Sequence, residues 1–336
     1  MMKRSEFIKL SSAGALGVPA VFFDKEPVPH HDFEILKPKK ISKGDTVAFT
    51  APAGIVHDQR DFARMRHILE SMGLNVVFGE FVRERYGYFA GTDYQRALDL
   101  MRFFNDDSID AIVAVRGGWG SARILPHLDY DVIKANPKVF CGFSDITTLH
   151  LAFLKHCGLM TYHGPNGTSD WTEITKNSFQ KTLMDGVDVE FTARDGFETL
   201  MPGNAEGRIV GGNLTVLTTS IGTDYQPDLT DAILFVEDIA EPPYKIDRML
   251  THMKRAGMLD NLKGFIFGQC TNCSESRGAN FTIKEVLTDH IKPLGIPAVT
   301  GKDIGHDPDN LTIPVGLRVL LDADKGMLSA LETTVS

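Results

Sequence analysis

The sequence contains few cysteines, no excess of basic residues and no long apolar run beyond its first residues. Only 4 of its 336 residues are cysteine, which is too few for the disulfide framework that stabilises small secreted domains. Lysine and arginine number 35 against 44 acidic residues, so a phosphate-binding surface for nucleic acid is not predicted. No window after the N-terminal region is long and apolar enough to cross a bilayer.

Two of the four cysteines, Cys270 and Cys273, form a CxxC pair in the segment "GQCTNCSE". A structural zinc site needs a second pair of ligands at similar spacing, and the sequence contains none. We therefore expect a reduced pair with a structural role or a place in a loop, and no metal site. Metal binding or redox use is the alternative.

The apolar content, in contrast, is ample. Hydrophobic residues make up 43% of the chain and charged residues 24%, as in ordinary globular domains. A chain of 336 residues is long enough for two domains at the usual size of roughly 150 residues per domain. We therefore expect a globular protein of about two domains.

The N-terminal segment has the features of an export signal. In "MMKRSEFIKLSSAGALGVPAVFF", Lys3 and Arg4 precede a small and apolar run that is too short to span a membrane as a stable anchor. Residues 1–24 resemble a twin-arginine signal with lysine in place of the first arginine, which predicts an exported, periplasmic protein; a cytoplasmic location is the alternative. Residues 25–42 are polar and contain several prolines, and they predict a linker.

Strands and helices alternate from residue 43 to 168. Segments such as "DTVAFTAPAG", "IDAIVAVRGG" and "VFCGFSD" are apolar strands, separated by stretches with apolar residues at helical spacing. The pattern predicts an α/β domain with a parallel sheet. Residues 169–206 are polar and irregular and predict an interdomain segment. Residues 207–336 contain short strands, among them "GRIVGG", "AILFVED" and "LTIPVG", and predict a smaller mixed α+β domain.

The segment "KVFCGFSDITTL" places Ser144 between a buried strand and a helix. Open α/β sheets bind ligands at such strand ends, and the N-terminus of the following helix supplies free N–H groups that stabilise negative charge. The shape is close to a GxSxG nucleophile turn, although Ile146 replaces the second glycine. Ser144 is either a nucleophile or a helix N-cap, and this segment does not decide between them.

The segment "AVRGGWGSARIL" has three glycines at the end of a buried strand, Gly117, Gly118 and Gly120. Glycines let a backbone approach a ligand closely and present its N–H groups. The segment lacks the residues of a Walker motif, so an oxyanion hole or a carboxylate site is a better interpretation than a nucleotide site. Arg116 and Arg123 are candidates for pairing with a carboxylate, or they form structural ion pairs.

A serine nucleophile needs a base and an acid that orients it, and candidates for both lie further along the chain. In "LFVEDIAEPPYKIDRML", Glu237 and Asp238 end an apolar strand, where a carboxylate must be paired. The acid is able to orient a histidine, as in a triad, or to cap a helix, a role that suits Asp238 or Glu241 better. Two histidines are candidates for the base, His306 in "DIGHDPDN" and His163 in "YHGPNG", and composition does not choose between them.

Taken together, these segments resemble the serine LD-carboxypeptidases (peptidase family S66), which include microcin-immunity-type peptidases. The resemblance runs from about residue 43 to 325, and its blocks follow one another in the family order. The blocks are "GYFAGTDYQRALDLMRFFNDDSIDAIVAVRGGWGSARILPHLDYD", "FCGFSDITTLHLAF", "GGNLTVL", "VEDIAEPPYKIDRML" and "IGHDPDNLTIPVG".

The resemblance implies a triad in which Ser144 is the nucleophile, His306 the general base and Glu237 the acid that orients the histidine. It implies that the backbone N–H groups of Gly118 and Asp145 form the oxyanion hole, and it gives His163 only a structural or rim role. The implied fold is a flavodoxin-like or amidotransferase-like N-terminal domain and a smaller β-rich α/β C-terminal domain. The site then lies between the domains. The resemblance also implies a homodimer and a reaction without a cofactor.

The implied reaction is cleavage of the bond between the L-centre of a diamino acid and a terminal D-Ala in murein tetrapeptides. Arg116, Gly117 and the neighbouring glycine N–H groups are candidates for binding the terminal carboxylate. The second hypothesis is a peptidase that cleaves peptidyl- or aminoacyl-nucleotide antibiotics, with Trp119 or Trp171 stacking on the base; an apolar rim contact is the alternative for each tryptophan. The third hypothesis is an inactive protein that binds peptidoglycan fragments.

Overall fold

A computed structural model of the chain describes residues 34–187, 189–192, 198–273, 281–301 and 303–336. The predicted export signal, residues 1–24, lies outside the described residues, as do residues 25–33 of the predicted linker. Within the described ranges no helix is long and apolar enough to cross a membrane.

The strands of the described residues form two sheets. They are β1 (Thr46–Thr50), β2 (Asn75–Phe78), β3 (Ala111–Ala114), β4 (Val139–Gly142), β5 (Thr161–His163), β6 (Glu190–Thr192), β7 (Glu198–Met201), β8 (Asn204–Asn213), β9 (Ala232–Ile239), β10 (Gly264–Thr271), β11 (Ala298–Thr300), β12 (Ile313–Val315), β13 (Arg318–Asp322) and β14 (Met327–Ala330).

Helices connect most of these strands. The α-helices are α1 (Arg60–Ser71), α2 (Asp93–Asn105), α3 (Ser121–Ile124), α4 (Tyr130–Ala135), α5 (Thr147–Cys157), α6 (Glu173–Gln180), α7 (Leu214–Thr219), α8 (Pro243–Arg255) and α9 (Ile283–Ile291). Short 3₁₀ turns lie at Leu125–His127, Ser144–Ile146 and Lys292–Leu294, and α6 continues into a π-helical turn at Lys181–Asp185.

The first sheet has six strands in the order β12-β5-β4-β3-β1-β2. Strands β1 to β5 are parallel, so the carboxyl ends of β1, β3 and β4 meet at one edge of the sheet. β3 and β4 are buried along their whole length, as continuous apolar runs predict for a central parallel sheet. The sequence places "LTIPVG" with the C-terminal strands, but β12 pairs antiparallel with β5 and so joins the first sheet instead.

The second sheet has eight strands in the order β6-β14-β13-β8-β9-β10-β11-β7. Its centre, β8 to β11, is parallel, and the flanking strands are antiparallel. Asn213 at the end of β8 lies in register with Glu237 on β9, so both side chains sit near the carboxyl edge of this sheet. A parallel sheet with a second, more β-rich unit is the α/β class expected from the sequence.

Some elements are not expected from the sequence pattern. The polar segment 169–206, predicted as irregular, contains α6, β6 and β7, while α4 and β14 are short elements without a clear periodic signal. Cys270 and Cys273 are joined by a disulfide, so the expectation of a reduced pair is wrong.

A common hydrophobic core joins the two sheets. One cluster of buried side chains runs from Phe49 and Cys141 on the first sheet to Phe235 and Ile266 on the second. Residues 34–336 accordingly form one compact unit. A site that takes side chains from both sheets is therefore held by shared packing.

The N-terminus of α2 offers a test of local stability. Thr92 accepts a hydrogen bond from the N–H of Gln95 at 3.3 Å, and the Gln95 side chain accepts one from the N–H of Thr92 at 2.9 Å. We expect Thr92→Ala to lower the free energy of unfolding by about 1 kcal/mol, measured as a lower urea midpoint at unchanged slope. The control Ser71→Ala removes a hydroxyl at the end of α1 whose hydrogen bond among the described residues is to the carbonyl of Ile68. Equal effects of the two substitutions would contradict the capping role.

Candidate functional site

Ser144 occupies a sharp turn between β4 and α5. Its φ angle is 66°, a left-handed conformation that is uncommon for a residue with a side chain. Its hydroxyl makes no hydrogen bond within the described part of the chain, so it does not act as an N-cap. Strained turns of this kind hold the serine of many hydrolases above the sheet. The geometry therefore favours the nucleophile over the helix cap.

The glycine loop after β3 packs directly against this turn. A Cβ atom on Gly117 would lie 2.8 Å from the Cβ and 3.0 Å from the Oγ of Ser144, so only glycine fits at this position. Gly118 follows with a φ angle of 106° and is exposed. Asp145 is the second residue of the 3₁₀ turn, where an N–H has no helical acceptor. The predicted oxyanion residues thus lie on the two segments that meet at Ser144.

Side chains away from the reacting atoms hold these two segments in place. The buried carboxylate of Asp145 accepts a hydrogen bond from the N–H of Ser121 at 2.7 Å, which ties the turn to the start of α3. Desolvation raises the pKa of Asp145 above its ordinary value. The Asn166 side chain accepts from the N–H of Phe143 at 3.2 Å and donates to its carbonyl at 3.4 Å.

Arg96 on α2 is the most deeply buried cation near the site. Its side chain is fully buried and donates to the carbonyls of Pro52 and Gly120, and it pairs with Asp93. Burial lowers the pKa of the guanidinium. Arg96 therefore fixes the loops after β1 and β3. The sequence gives no indication of this role, because an arginine in an amphipathic helix carries no sign of burial.

Glu237 and His306 form the second half of the site. His306 Nδ1 lies 2.7 Å from Glu237 Oε2, and the carboxylate is completely buried at the end of β9. Its other oxygen, Oε1, has no hydrogen-bond partner among the described residues. A proton on Nδ1, donated to Glu237, leaves the Nε2 lone pair free to accept a proton. The pair has the geometry of a base oriented by an acid.

The two halves meet through Phe143, the residue before Ser144. The Phe143 and His306 rings lie 4.8 Å apart between centroids. No hydrogen bond joins Ser144 to His306 within the described ranges, a separation that substrate-free active sites often have. The structure therefore brings the three predicted triad residues to one region, with Ser144 from the first sheet and Glu237 from the second.

His163, the other candidate base, is part of the core. Its ring is fully buried, and neither ring nitrogen has a hydrogen-bond partner among the described residues. Desolvation, with smaller effects from His150 and His306, holds its pKa well below the ordinary value. Such a ring is shielded from a substrate, which leaves His306 as the better placed base.

The candidate arginines and tryptophans for substrate binding differ in how accessible they are. Arg116 donates to the carbonyl of Ile55 at 2.9 Å, so part of its hydrogen-bonding capacity is used within the protein. Arg123 pairs with Asp93 at 2.8 Å, the structural alternative. Trp119 is 48% exposed beside the glycine loop, whereas Trp171 is buried and donates its indole N–H to Asn166 at 3.1 Å. Trp119 is thus available to a ligand and Trp171 is not.

The acids after β9 have separate roles. Asp238 accepts hydrogen bonds from Asn213 at 3.2 Å and from the N–H and hydroxyl of Thr215 at 2.9 Å, and it thereby joins β9 to the start of α7. Burial raises the pKa of Asp238. Glu241 pairs with Lys245 on α8 at 2.7 Å. The described residues contain no cluster of histidine, cysteine and carboxylate side chains suited to a metal ion.

The loop that carries His306 is held by Gln269 on β10. The N–H of Gln269 donates to the carbonyl of Ile304 at 2.9 Å, and its side-chain oxygen accepts from the N–H of Asp307 at 3.1 Å. Gln269 thereby clamps the loop on both sides of the histidine. The sequence offered no signal for this role beyond a polar residue at the end of an apolar strand.

Comparison with known families agrees with this architecture. The family model of the LD-carboxypeptidase N-terminal domain matches residues 47–164, and that of the C-terminal domain matches residues 206–321. The chain therefore belongs to the LD-carboxypeptidase family, a family of peptidases. The predicted family and the predicted fold class are both confirmed.

Individual relatives include proteins of two kinds. The chain is 38% identical over 295 residues to a probable murein peptide carboxypeptidase of Bacillus subtilis, covering 85% of this chain and 91% of the relative. It is 30% identical over 333 residues to the microcin C7 self-immunity protein MccF of Escherichia coli, covering 88% and 96%.

Solved structures show the same two kinds. A structure of MccF in complex with glutamyl sulfamoyl guanosine superposes with a TM-score of 0.83 at 27% identity, covering 90% of this chain and 100% of MccF. A muramoyltetrapeptide carboxypeptidase from Oxalobacter formigenes superposes with a TM-score of 0.75 at 33% identity, covering 84% and 97%.

The contact between Gly117 and Ser144 predicts a kinetic effect. A methyl group at position 117 would push the serine out of its turn, so Gly117→Ala should lower kcat on a peptide substrate by about 100-fold or more, the order of loss expected for a displaced reacting group. The control Gly87→Ala adds a methyl group at a glycine with open space around it but with a φ angle of 61°, so it measures the effect of backbone strain without a contact on Ser144. Both variants are to be compared by steady-state kinetics, and a Gly117→Ala enzyme with the kcat of the wild type would contradict the packing argument.

The buried carboxylate predicts a second effect. Glu237→Gln keeps the side-chain volume but removes the charge that orients His306, so kcat should fall on the order of 10²- to 10⁴-fold. The control Glu206→Gln changes an exposed carboxylate on β8 that pairs only loosely with Arg318, at 3.7 Å. Circular dichroism checks that both variants fold, and near wild-type kcat for Glu237→Gln would exclude the orienting role.

Proposed function

We propose that the protein is a serine LD-carboxypeptidase that releases the terminal D-Ala from murein tetrapeptides. The observation that carries the proposal is the strained Ser144 turn beside the hydrogen-bonded Glu237–His306 pair. A free hydroxyl, a histidine able to accept its proton and a buried acid are the parts that nucleophilic acyl transfer requires. Membership of a peptidase family and the murein peptide relative support the same chemistry.

In the proposed mechanism His306 Nε2 accepts the hydroxyl proton as Ser144 Oγ attacks the carbonyl carbon on the L-centre of the diamino acid. The negative charge that develops on the carbonyl oxygen is stabilised by the N–H groups of Gly118 and Asp145. The tetrahedral intermediate collapses, the C–N bond breaks, and His306 returns its proton to the departing amine of D-Ala. Water, deprotonated by the same histidine, then hydrolyses the acyl-enzyme.

Glu237 contributes by holding the imidazole in one tautomer and stabilising the imidazolium as it forms. The carboxylate needs to be buried for this role, because solvent would screen its charge. Arg116, which lies in the glycine loop beside Gly117, and the neighbouring backbone N–H groups are the proposed partners of the terminal carboxylate of the substrate.

One observation favours a second candidate function, cleavage of aminoacyl nucleotides. Trp119 presents a half-exposed indole on the same loop as the proposed oxyanion donor, and an aromatic face of this kind is able to stack on a base. MccF, one of the structural relatives, has been solved in complex with glutamyl sulfamoyl guanosine. Cleavage of an aminoacyl-sulfamoyl nucleoside in preference to tetrapeptide would favour this function over the first.

Export and dimerisation are further parts of the proposal. The charged and apolar N-terminal segment supports export through a twin-arginine-like signal, and murein lies outside the cytoplasm. Cell fractionation should then find the protein in the periplasm, and its presence in the cytosol alone would contradict export. Light scattering of the purified protein should give the mass of a homodimer.

The proposed nucleophile predicts a clear loss of activity. Ser144→Ala should abolish release of D-Ala from purified murein tetrapeptide, because no acyl-enzyme forms, while binding of the peptide persists. The control Ser108→Ala changes a serine in the exposed turn after α2, where it bonds to Asp106. Release of D-Ala is measured by mass spectrometry and binding by calorimetry. Activity retained by Ser144→Ala would disprove the assignment, and loss of activity with loss of binding in a folded variant would assign Ser144 to binding instead.

A further inference from the structure

A β-bulge in β10 lies opposite the buried acid of the site. The register of β10 against β9 shifts between Phe267 and Cys270. Two residues of β10, Gly268 and Gln269, therefore lie opposite a single residue of β9, Glu237. Bulges of this kind turn a side chain out of its regular direction, and they are common beside active sites. The bulge therefore determines the direction of the Gln269 side chain.

The loop that carries His306 packs on the two residues of the bulge. A Cβ atom on Gly268 would lie 2.4 Å from the carbonyl oxygen of Ile304, so the two backbones are in direct contact. Gln269 forms hydrogen bonds to the loop at Ile304 and at Asp307, which lie on either side of His306. The position of the histidine thus depends on the position of the bulge.

A disulfide closes the chain immediately after the bulge. It joins Cys270, the residue after Gln269, to Cys273, and the N–H of Cys273 donates to the carbonyl of Cys270 at 3.2 Å. The side chain of Cys270 packs against an apolar cluster that contains buried residues of α8 and α9. Strand ends open locally more easily than strand centres, and a cross-link opposes such opening. The disulfide therefore holds the end of β10, and with it the bulge.

The disulfide is open to reaction with a dithiol. Cys270 and Cys273 are both partly exposed, whereas the free cysteines Cys141 and Cys157 are buried. A thiolate of the dithiol attacks one sulfur and breaks the S–S bond, and its second thiolate then displaces the mixed disulfide. The protein gains two thiols with the two protons that the dithiol loses, and the dithiol is oxidised to its own disulfide.

We propose that the Cys270–Cys273 disulfide is a positioning element for the general base and that its reduction lowers the activity of the enzyme. The oxidised pair keeps Gln269 and the loop in the arrangement that presents His306 to Ser144. The inference rests on the proposed function, because His306 acts as the base in that mechanism. The enzyme is therefore active in a compartment where disulfides persist, in agreement with the proposed export, and less active in a reducing one.

The redox experiment measures D-Ala release from murein tetrapeptide by the oxidised wild type, after reduction with dithiothreitol and after reoxidation. We expect reduction to lower kcat by about 10-fold or more at unchanged KM, because a small displacement of a reacting group slows the chemical step. Reoxidation should restore kcat. The control Cys157→Ser replaces a buried free cysteine and should respond to reduction as the wild type does. An unchanged kcat in enzyme whose thiols are shown by alkylation to be fully reduced would overturn the inference.

Variants test whether the effect passes through Gln269. The double variant Cys270→Ser, Cys273→Ser should have the lowered kcat of the reduced enzyme and no response to dithiothreitol. Gln269→Ala removes the side-chain bond to Asp307, so it should lower kcat in the oxidised enzyme and leave little further loss on reduction. Equal fold losses on reduction in Gln269→Ala and in the wild type would contradict this route. Circular dichroism checks folding, and the reduced wild type decides the result if the double variant does not fold.

Hydrogen exchange measures the loop without any substrate. Reduction should speed exchange of the N–H of Asp307, which Gln269 holds, while the N–H of Val115, bonded to Thr50 in the first sheet, stays protected. Unchanged exchange at Asp307 would overturn the inference, as would faster exchange with an unchanged kcat. A wild type that leaves tetrapeptide intact in both redox states would overturn the proposed function instead, and exchange would then still decide whether the disulfide holds the loop.

Discussion

The left-handed conformation of Ser144 is the constraint on which the arrangement of the site depends. A residue with a side chain in this region of φ and ψ costs about 1–3 kcal/mol, so surrounding contacts must hold it there. Gly117 supplies the space, the Asn166 amide holds the preceding peptide, and Ser121 binds the carboxylate of the following residue. Each contact comes from a different segment at the carboxyl edge of the first sheet. The conformation of Ser144 therefore depends on the packing of several segments at this edge.

The second sheet has a corresponding constraint at Glu237. A fully buried carboxylate is unfavourable unless it is paired, and here one oxygen is paired with His306 while the other has no hydrogen-bond partner among the described residues. The protein tolerates this cost at the point where a negative charge is useful to a histidine. Gln269 limits the movement of the loop, so the hydrogen bond to His306 is kept. The site therefore lies between a strained residue of the first sheet, Ser144, and a carboxylate of the second sheet, Glu237, that has only one of its oxygens paired among the described residues.

The sequence predicted much of this arrangement, but not all of it. Apolar runs and helical spacing locate the parallel strands because burial on both faces of a sheet leaves a continuous hydrophobic signal. The choice between His306 and His163 was open from the residues alone, since burial of a histidine after a short strand leaves no periodic pattern. The burial of Arg96 was not predicted, because an arginine in an amphipathic helix is normally exposed. Roles that depend on long-range contacts are not encoded in local patterns.

The path of the chain after His306 explains how two sheets share one site. The histidine lies between β11 of the second sheet and β12 of the first, so the loop that carries it crosses from one sheet to the other. β12 pairs with β5, which is the neighbour of the strand that leads to Ser144. The position of the base relative to the nucleophile is therefore set by strand pairing on both sides of the loop and by the core that the sheets share. The pairings fix the two ends of the loop, and the contacts of Gln269 hold the segment around His306 between them.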